Sequence, residues 1–127
     1  MKFITILLLG MTFFFNDSKL EPNTNDLAAF DVVEKRTEYN GIYYSYAIKN
    51  TGNTTIPRNS YKVFFKVDGK IVSFDKDTSD IKPGQIIVYE SQKTFYQKNK
   101  DTLTYSLEIS YTDANLENNV LQGRSMF

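Results

Sequence analysis

The sequence has no cysteine, no histidine and no tryptophan. Without cysteine there is no disulfide, no thiol nucleophile, no thiolate metal site and no thioether near the N-terminus to carry a lipid. Without histidine the commonest general base and the commonest transition-metal ligand are missing. Most hydrolase and zinc-enzyme mechanisms are excluded on those grounds, and neither a catalytic residue nor a cofactor is expected. Charge of one sign is lacking too. Lys plus Arg and Asp plus Glu are 15 each, so no long-range field draws the chain to a nucleic acid or an anionic membrane.

What is present is ordinary for one globular domain: 127 residues, 41% hydrophobic and 24% charged. One long apolar run occurs, at the start. Lys2 is followed by Phe3 to Phe15, almost unbroken, and the chain then turns abruptly polar. In a helix those residues span about 20 Å, short of the roughly 30 Å of a hydrocarbon core. This favours a secretory signal peptide over a membrane span. Residues 1–18 are expected to form that signal, with an uncleaved anchor or a buried first strand as alternatives. Only an uncleaved segment would bring the chain to a membrane. Residues 19–28 read as a short linker and 29–127 as the folded domain, which the signal would send to the periplasm, the cell surface or the medium.

Beyond the signal, apolar residues recur with a period of two. Ile42, Tyr44, Tyr46 and Ile48 share one face; Tyr61, Val63, Phe65 and Val67 repeat the pattern, and Leu103, Tyr105, Leu107, Ile109 and Tyr111 give the cleanest alternation. Such runs are half-buried strands. Asp68-Gly69, between the Tyr61 run and "KIVSF", and Asn40-Gly41, between "LAAFDVVEK" and the Ile42 run, predict type I′ hairpins, whose central residues need positive φ. Pro83-Gly84 predicts a further turn, with strands from Ile86 and from Val120 completing the set. Seven strands with turns every 8 to 12 residues or so outline an immunoglobulin-like antiparallel β-sandwich. A small barrel uses similar strands, but length and strand count favour the sandwich.

Three stretches are candidates for function. Asp113 and Glu117 lie four apart in "TDANLENN", a run that suits a self-bonded hairpin loop because Asp and Asn bond nearby backbone. Calcium is the alternative, since a hard cation takes carboxylate and amide oxygens together. "DKDTSD", Asp75 to Asp80, misses the EF-hand pattern at positions five, six and twelve and reads as a solvated loop. Tyr43 and Phe64 point away from their strands' core residues. With Lys62 and Lys66 beside Phe64, they are candidates for an exposed binding patch.

In order along the chain, "YSYAIKNTGNTTI", "FKVDGKIV", "IKPGQ", a tyrosine-rich alternating strand and a closing "LENN" resemble the motifs of the bacterial cell-adhesion-related domain known as CARDB. The matching positions are Asn50 and Gly52, Asp68 to Lys70, Pro83 and Gly84, and Asp113, Glu117, Asn118 and Asn119. The loop from Asp113 to Asn119 is shorter than the family's usual one. The resemblance implies a secreted or surface-exposed, seven-stranded, non-catalytic module for adhesion or binding, with an unidentified extracytoplasmic protein or glycan as partner. Two other readings stand beside it: a structural or assembly component whose exposed last strand pairs with another chain, and a calcium-stabilised adhesion domain.

Overall fold

The computed structural model describes residues 24–75, 79–111 and 116–127, the last stretch without the side chains of Leu116 and Glu117. The expected signal segment lies outside them. Seven strands form in the expected places: β1 (Leu27–Arg36), β2 (Ile42–Asn50), β3 (Lys62–Val67), β4 (Lys70–Asp75), β5 (Ile86–Glu90), β6 (Thr102–Ser110) and β7 (Val120–Met126), with a short 3₁₀ turn at Leu116–Asn119 before β7. They build two antiparallel sheets, β1-β2-β5 and β4-β3-β6-β7. Because β4 pairs with β3, β5 is left as the outer strand of the smaller sheet.

The two sheets bury one alternate set of side chains from each strand. Ile42, Tyr44, Tyr46 and Ile48 of β2 are at most 1% exposed, and Val63, Phe65 and Leu107 of the facing sheet are fully buried. Phe65 sits at the centre, stacked on Tyr46 with ring centroids 4.7 Å apart and in tilted contact with Tyr44 at 5.1 Å. Burying one such side chain contributes about 1.5–3 kcal/mol. The tyrosine hydroxyls do not stop in the core. Tyr44 donates to Ser125 Oγ at 2.9 Å and Tyr46 to Asp75 Oδ2 at 2.8 Å, so neighbouring phenols of β2 reach β7 and β4, the two outer strands of the opposite sheet.

The turns follow the sequence in one case and depart from it in another. Asp68 and Gly69 both have positive φ, 51° and 81°, and join Val67 to its partner Lys70 as a type I′ turn requires. Asn40 also has positive φ, at 60°, but Gly41 does not. The β1–β2 connection is instead a longer loop, Thr37 to Gly41, closed by a bond from Thr37 N–H to Gly41 O at 2.9 Å. Gly41 is there for space: a Cβ would stand 2.5 Å from Thr37 Oγ1 and 2.6 Å from a Thr94 carbon. The expected linker boundary at residue 28 also moves, because Leu27, in β1, is fully buried.

Candidate functional site

Alternation along a strand says which side chains leave the core, but not into which sheet's outer face they emerge. Tyr43 emerges from β2 on the three-stranded sheet, whereas Lys62, Phe64 and Lys66 emerge from β3 on the four-stranded one. The patch expected from the sequence is thus divided, with Tyr43 on the far side of the sandwich from the other three.

Around Phe64 the four-stranded face is built from β4, β6 and β7. Phe64 stacks on Phe74 with centroids 4.8 Å apart and planes 9° from parallel, and Phe74 remains 45% exposed. One pair along, Lys66 Nζ lies 3.0 Å from Glu108 Oε1, and Ser106 Oγ donates to Glu108 Oε2 at 2.9 Å. Partial burial pushes the Glu108 carboxyl up, but the bonds from Lys66 and Ser106 outweigh it and hold the group below the usual range. It is therefore ionised at neutral pH.

Beyond this pair the sheet surface dips into a groove of about 540 Å³ whose lining includes Lys66, Thr104, Ser106, Glu108, Gln122 and Arg124. Arg124 forms no ion pair among the described residues. At the groove's end the β3–β4 turn is fastened to β6: Asp68 Oδ1 accepts from Thr104 N–H at 3.0 Å, and Lys100 Nζ donates to Asp68 Oδ2 at 2.8 Å. The Lys100 hydrogen bond, followed by the Thr104 backbone bond, lowers the Asp68 pKa. Such a surface can offer donors, acceptors and charge to a polar ligand, with the stacked phenylalanines at one side. Thr104, Ser106 and Glu108 alternate with the inward residues of β6, so their common outward face follows from the period of two. That Gln122 and Arg124 join them depends on the β6–β7 register, Ser106 to Gln122 and Thr104 to Arg124, which no local pattern encodes.

The acidic candidates are used differently. Asp113 and the Glu117 side chain lie outside the described residues. Asn118 Nδ2 donates to both carboxylate oxygens of Asp26, at 3.0 and 3.2 Å, and Asn119 Nδ2 donates back to Tyr111 O at 3.2 Å. Asn118 Oδ1 is buried without a hydrogen-bond partner among the described residues. No group of three or more acidic side chains able to hold a metal occurs among the described residues. In "DKDTSD", Asp75 takes the Tyr46 phenol and Asp80 accepts from Arg58 N–H at 2.7 Å; residues 76–78 lie outside the described set.

Asn50 and Gly52, noted for their spacing, form a structural knot. Asn50 is fully buried at the end of β2. Its Nδ2 donates to Thr54 O and Ile81 O, both at 2.8 Å, and its Oδ1 accepts from Gly52 N–H at 2.9 Å. A Cβ on Gly52 would stand 2.4 Å from Thr24 O, so the chain before β1 passes where only glycine leaves room.

Two twisted sheets enclosing one aromatic core, with a polar groove on the outer face of the larger, define an immunoglobulin-like β-sandwich domain. The same architecture occurs in solved structures. The CARDB domain of the PF1109 protein from Pyrococcus furiosus, crystallised in complex with di-metal ions, is similar over 86% of this chain and 93% of its own, with a TM-score of 0.66 and 17% identity. The solution structure of that domain covers 83% and 96% with a TM-score of 0.64 and 16% identity. The chain has a CARDB-like fold, as its ordered motifs led us to expect. No protein-family model and no curated protein matches the sequence.

Proposed function

We propose that this protein is a non-catalytic, adhesion-related binding module acting outside the cytoplasm, and that its ligand surface is the outer face of the four-stranded sheet. The observation that carries the reading is the groove between Lys66 and Arg124, with the exposed Phe64–Phe74 stack beside it. Hydroxyls, an amide, an ionised carboxylate and an uncommitted guanidinium suit a polyhydroxylated ligand, so a glycan is the favoured partner over a protein. The Lys2-to-Phe15 segment supports export. The tyrosines whose pKa values are raised, Tyr44, Tyr46 and Tyr89, owe this first to burial, which makes them core members and not bases.

The test is a glycan array probed with the wild-type protein and with Arg124→Ala and Phe64→Ala. Binding to a defined set of glycans that both substitutions weaken about tenfold or more is the expected result, since each removes a contact worth about 1–2 kcal/mol. A blank array, or binding indifferent to both changes, removes the groove reading. Export is tested separately, by cell fractionation and N-terminal mass spectrometry. A mature start near Ser18 to Glu21 outside the cytoplasm is expected, and a Met1-bearing protein in the cytosol would refute it.

A second reading is favoured by Asn118 Oδ1, buried beside Asp26 with no hydrogen-bond partner among the described residues, and by the di-metal complex of the Pyrococcus domain. On that reading, calcium binds at the loop before β7, held by Asp113 and Glu117 with amide oxygens. It predicts a melting temperature that rises in millimolar calcium, an effect that Asp113→Asn with Glu117→Gln abolishes. An unchanged melt disposes of it.

A further inference from the structure

The fold has four outer strands, and three are guarded against pairing with another chain in ways that edges commonly are. β1 is broken by a bulge between Ala29 and Asp31. It ends in Glu34-Lys35-Arg36, with Arg36 bonding Met126 O of β7, so β1 and β7 lie against each other. β4 begins with Lys70 and slips register opposite Phe65 and Lys66. β5 has none of these devices. "IIVYE" contains no proline, glycine or lysine and pairs with β2 in unbroken register from Ile86 to Glu90. Of its outward side chains Ile86 and Val88 are apolar and open, at 43% and 63% exposed, and Glu90 is the one charge.

The hydrogen-bond phase of this edge can be read from its ends. Ser91 N–H donates to Tyr44 O at 2.8 Å and Asn50 N–H to Gln85 O at 3.1 Å. Antiparallel ladders alternate between bonded and non-bonded pairs, so Ile87 and Tyr89 also direct their backbone groups to β2. The N–H and C=O groups of Ile86, Val88 and Glu90 therefore point to the free side, where no described strand pairs with them.

We propose that β5 is a self-association edge, through which two copies of this chain join their three-stranded sheets into one continuous antiparallel sheet. A two-fold axis at Val88 sets Val88 against itself and Ile86 against the second copy's Glu90. All three residues then fall on bonded pairs, so the free groups of both edges are satisfied together. The charges agree with this symmetry. Glu90 and Lys49 lie on the outer face at opposite ends of the β2–β5 ladder, paired with Ser45 and Ile86, and neither has an ion-pair partner among the described residues. Lys49 rests its ammonium over the Phe30 ring at 5.1 Å. The axis brings the second copy's Glu90 beside Ile86, two strand spacings or about 9.5 Å from the Lys49 column, within reach of two extended side chains. Symmetry makes this pair twice. Ala47 and Val88, partners in the β2–β5 ladder, would then meet their counterparts across the junction in one apolar row.

Sedimentation equilibrium of the full chain, as recovered from its producing cells, tests the proposal. A reversible monomer–dimer equilibrium is expected. Val88→Pro removes an N–H that faces the free side and leaves the β2 ladder intact; it should weaken dimerisation about tenfold or more. Val88→Lys, which sets two ammonium groups face to face, provides a second edge variant without the backbone constraint. Circular dichroism melts identify which variants are folded. Glu90→Lys should also weaken the dimer, and adding Lys49→Glu should restore it, a rescue that a general loss of stability would not give. A wild-type chain that stays monomeric at millimolar concentration overturns the proposal, even if it captures a foreign extended peptide. So does a folded edge variant that dimerises as tightly as wild type, or a charge swap without rescue.

Discussion

Replacing Asn50 by alanine is expected to cost about 3 kcal/mol of folding stability, by the following reasoning. The side chain makes three hydrogen bonds: to Thr54 O, to Ile81 O and from Gly52 N–H. Leaving a buried polar group unsatisfied costs about 1–3 kcal/mol. Ile81 O keeps a second donor, Ile56 N–H at 2.9 Å, and the bonds to Thr54 and Gly52 are only part-buried, so the lower end of that range applies to each. For a domain of this size the loss corresponds to a fall in Tm of roughly 12–24 °C. Urea unfolding followed by tyrosine fluorescence and far-UV circular dichroism would measure it, the midpoint moving down at an unchanged slope. Asn50→Asp serves as a control. It keeps the acceptor for Gly52 but turns a carboxylate toward two carbonyls, so at neutral pH it should cost at least as much as alanine. A loss below about 0.5 kcal/mol for Asn50→Ala, the size of an ordinary surface change, would refute the reasoning.

Gly52→Ala should destabilise by about 1–3 kcal/mol, because its Cβ meets the Thr24 carbonyl at 2.4 Å and backbone must move; thermal melting would report it. Asp68 has a folded pKa below its unfolded one, through Lys100 first and then Thr104, so its contribution is present above the unfolded pKa and is lost as pH falls through the folded one. Asp68→Asn should therefore lower Tm at pH 7 and leave it nearly unchanged once the wild-type carboxyl is protonated. An equal loss at both pH values would contradict this. Tyr44, Tyr46 and Tyr89 are held neutral chiefly by burial, so their contribution is complete below about pH 10 and disappears at higher pH. Ionisation of these three phenols, read by absorbance near 295 nm, should come only together with the loss of structure seen by circular dichroism. Their ionisation in a folded protein would count against the assignment.

Strand positions were legible because a half-buried strand writes its period of two directly into the sequence. Tyr44, Tyr46, Val63, Phe65 and Leu107 all point inward as that period requires. The Asp68-Gly69 turn was legible because its backbone demand is local. Asn40-Gly41 carried an equivalent turn signal, yet Thr37 closes the loop around it and crowding from Thr94 decides the glycine's role. Tyr43 and Phe64 were indistinguishable in sequence, since their separation depends on β2 and β3 entering different sheets. The knot at Asn50 was visible as spacing but not as chemistry, because Ile81, one of its acceptors, lies 31 positions away. The groove needs three strands in register, β3, β6 and β7, and Arg124 enters it only through the pairing of β7 with β6.

The phenols that run from β2 to Ser125 and Asp75 take the place held in antibody domains by a disulfide between the sheets. A cross-brace made of hydrogen bonds forms and dissolves with the fold itself and needs no oxidant, isomerase or particular redox potential. The chain can therefore be held unfolded, threaded through a narrow passage and released to refold on either side of a membrane, with no covalent link to form too early or in the wrong register.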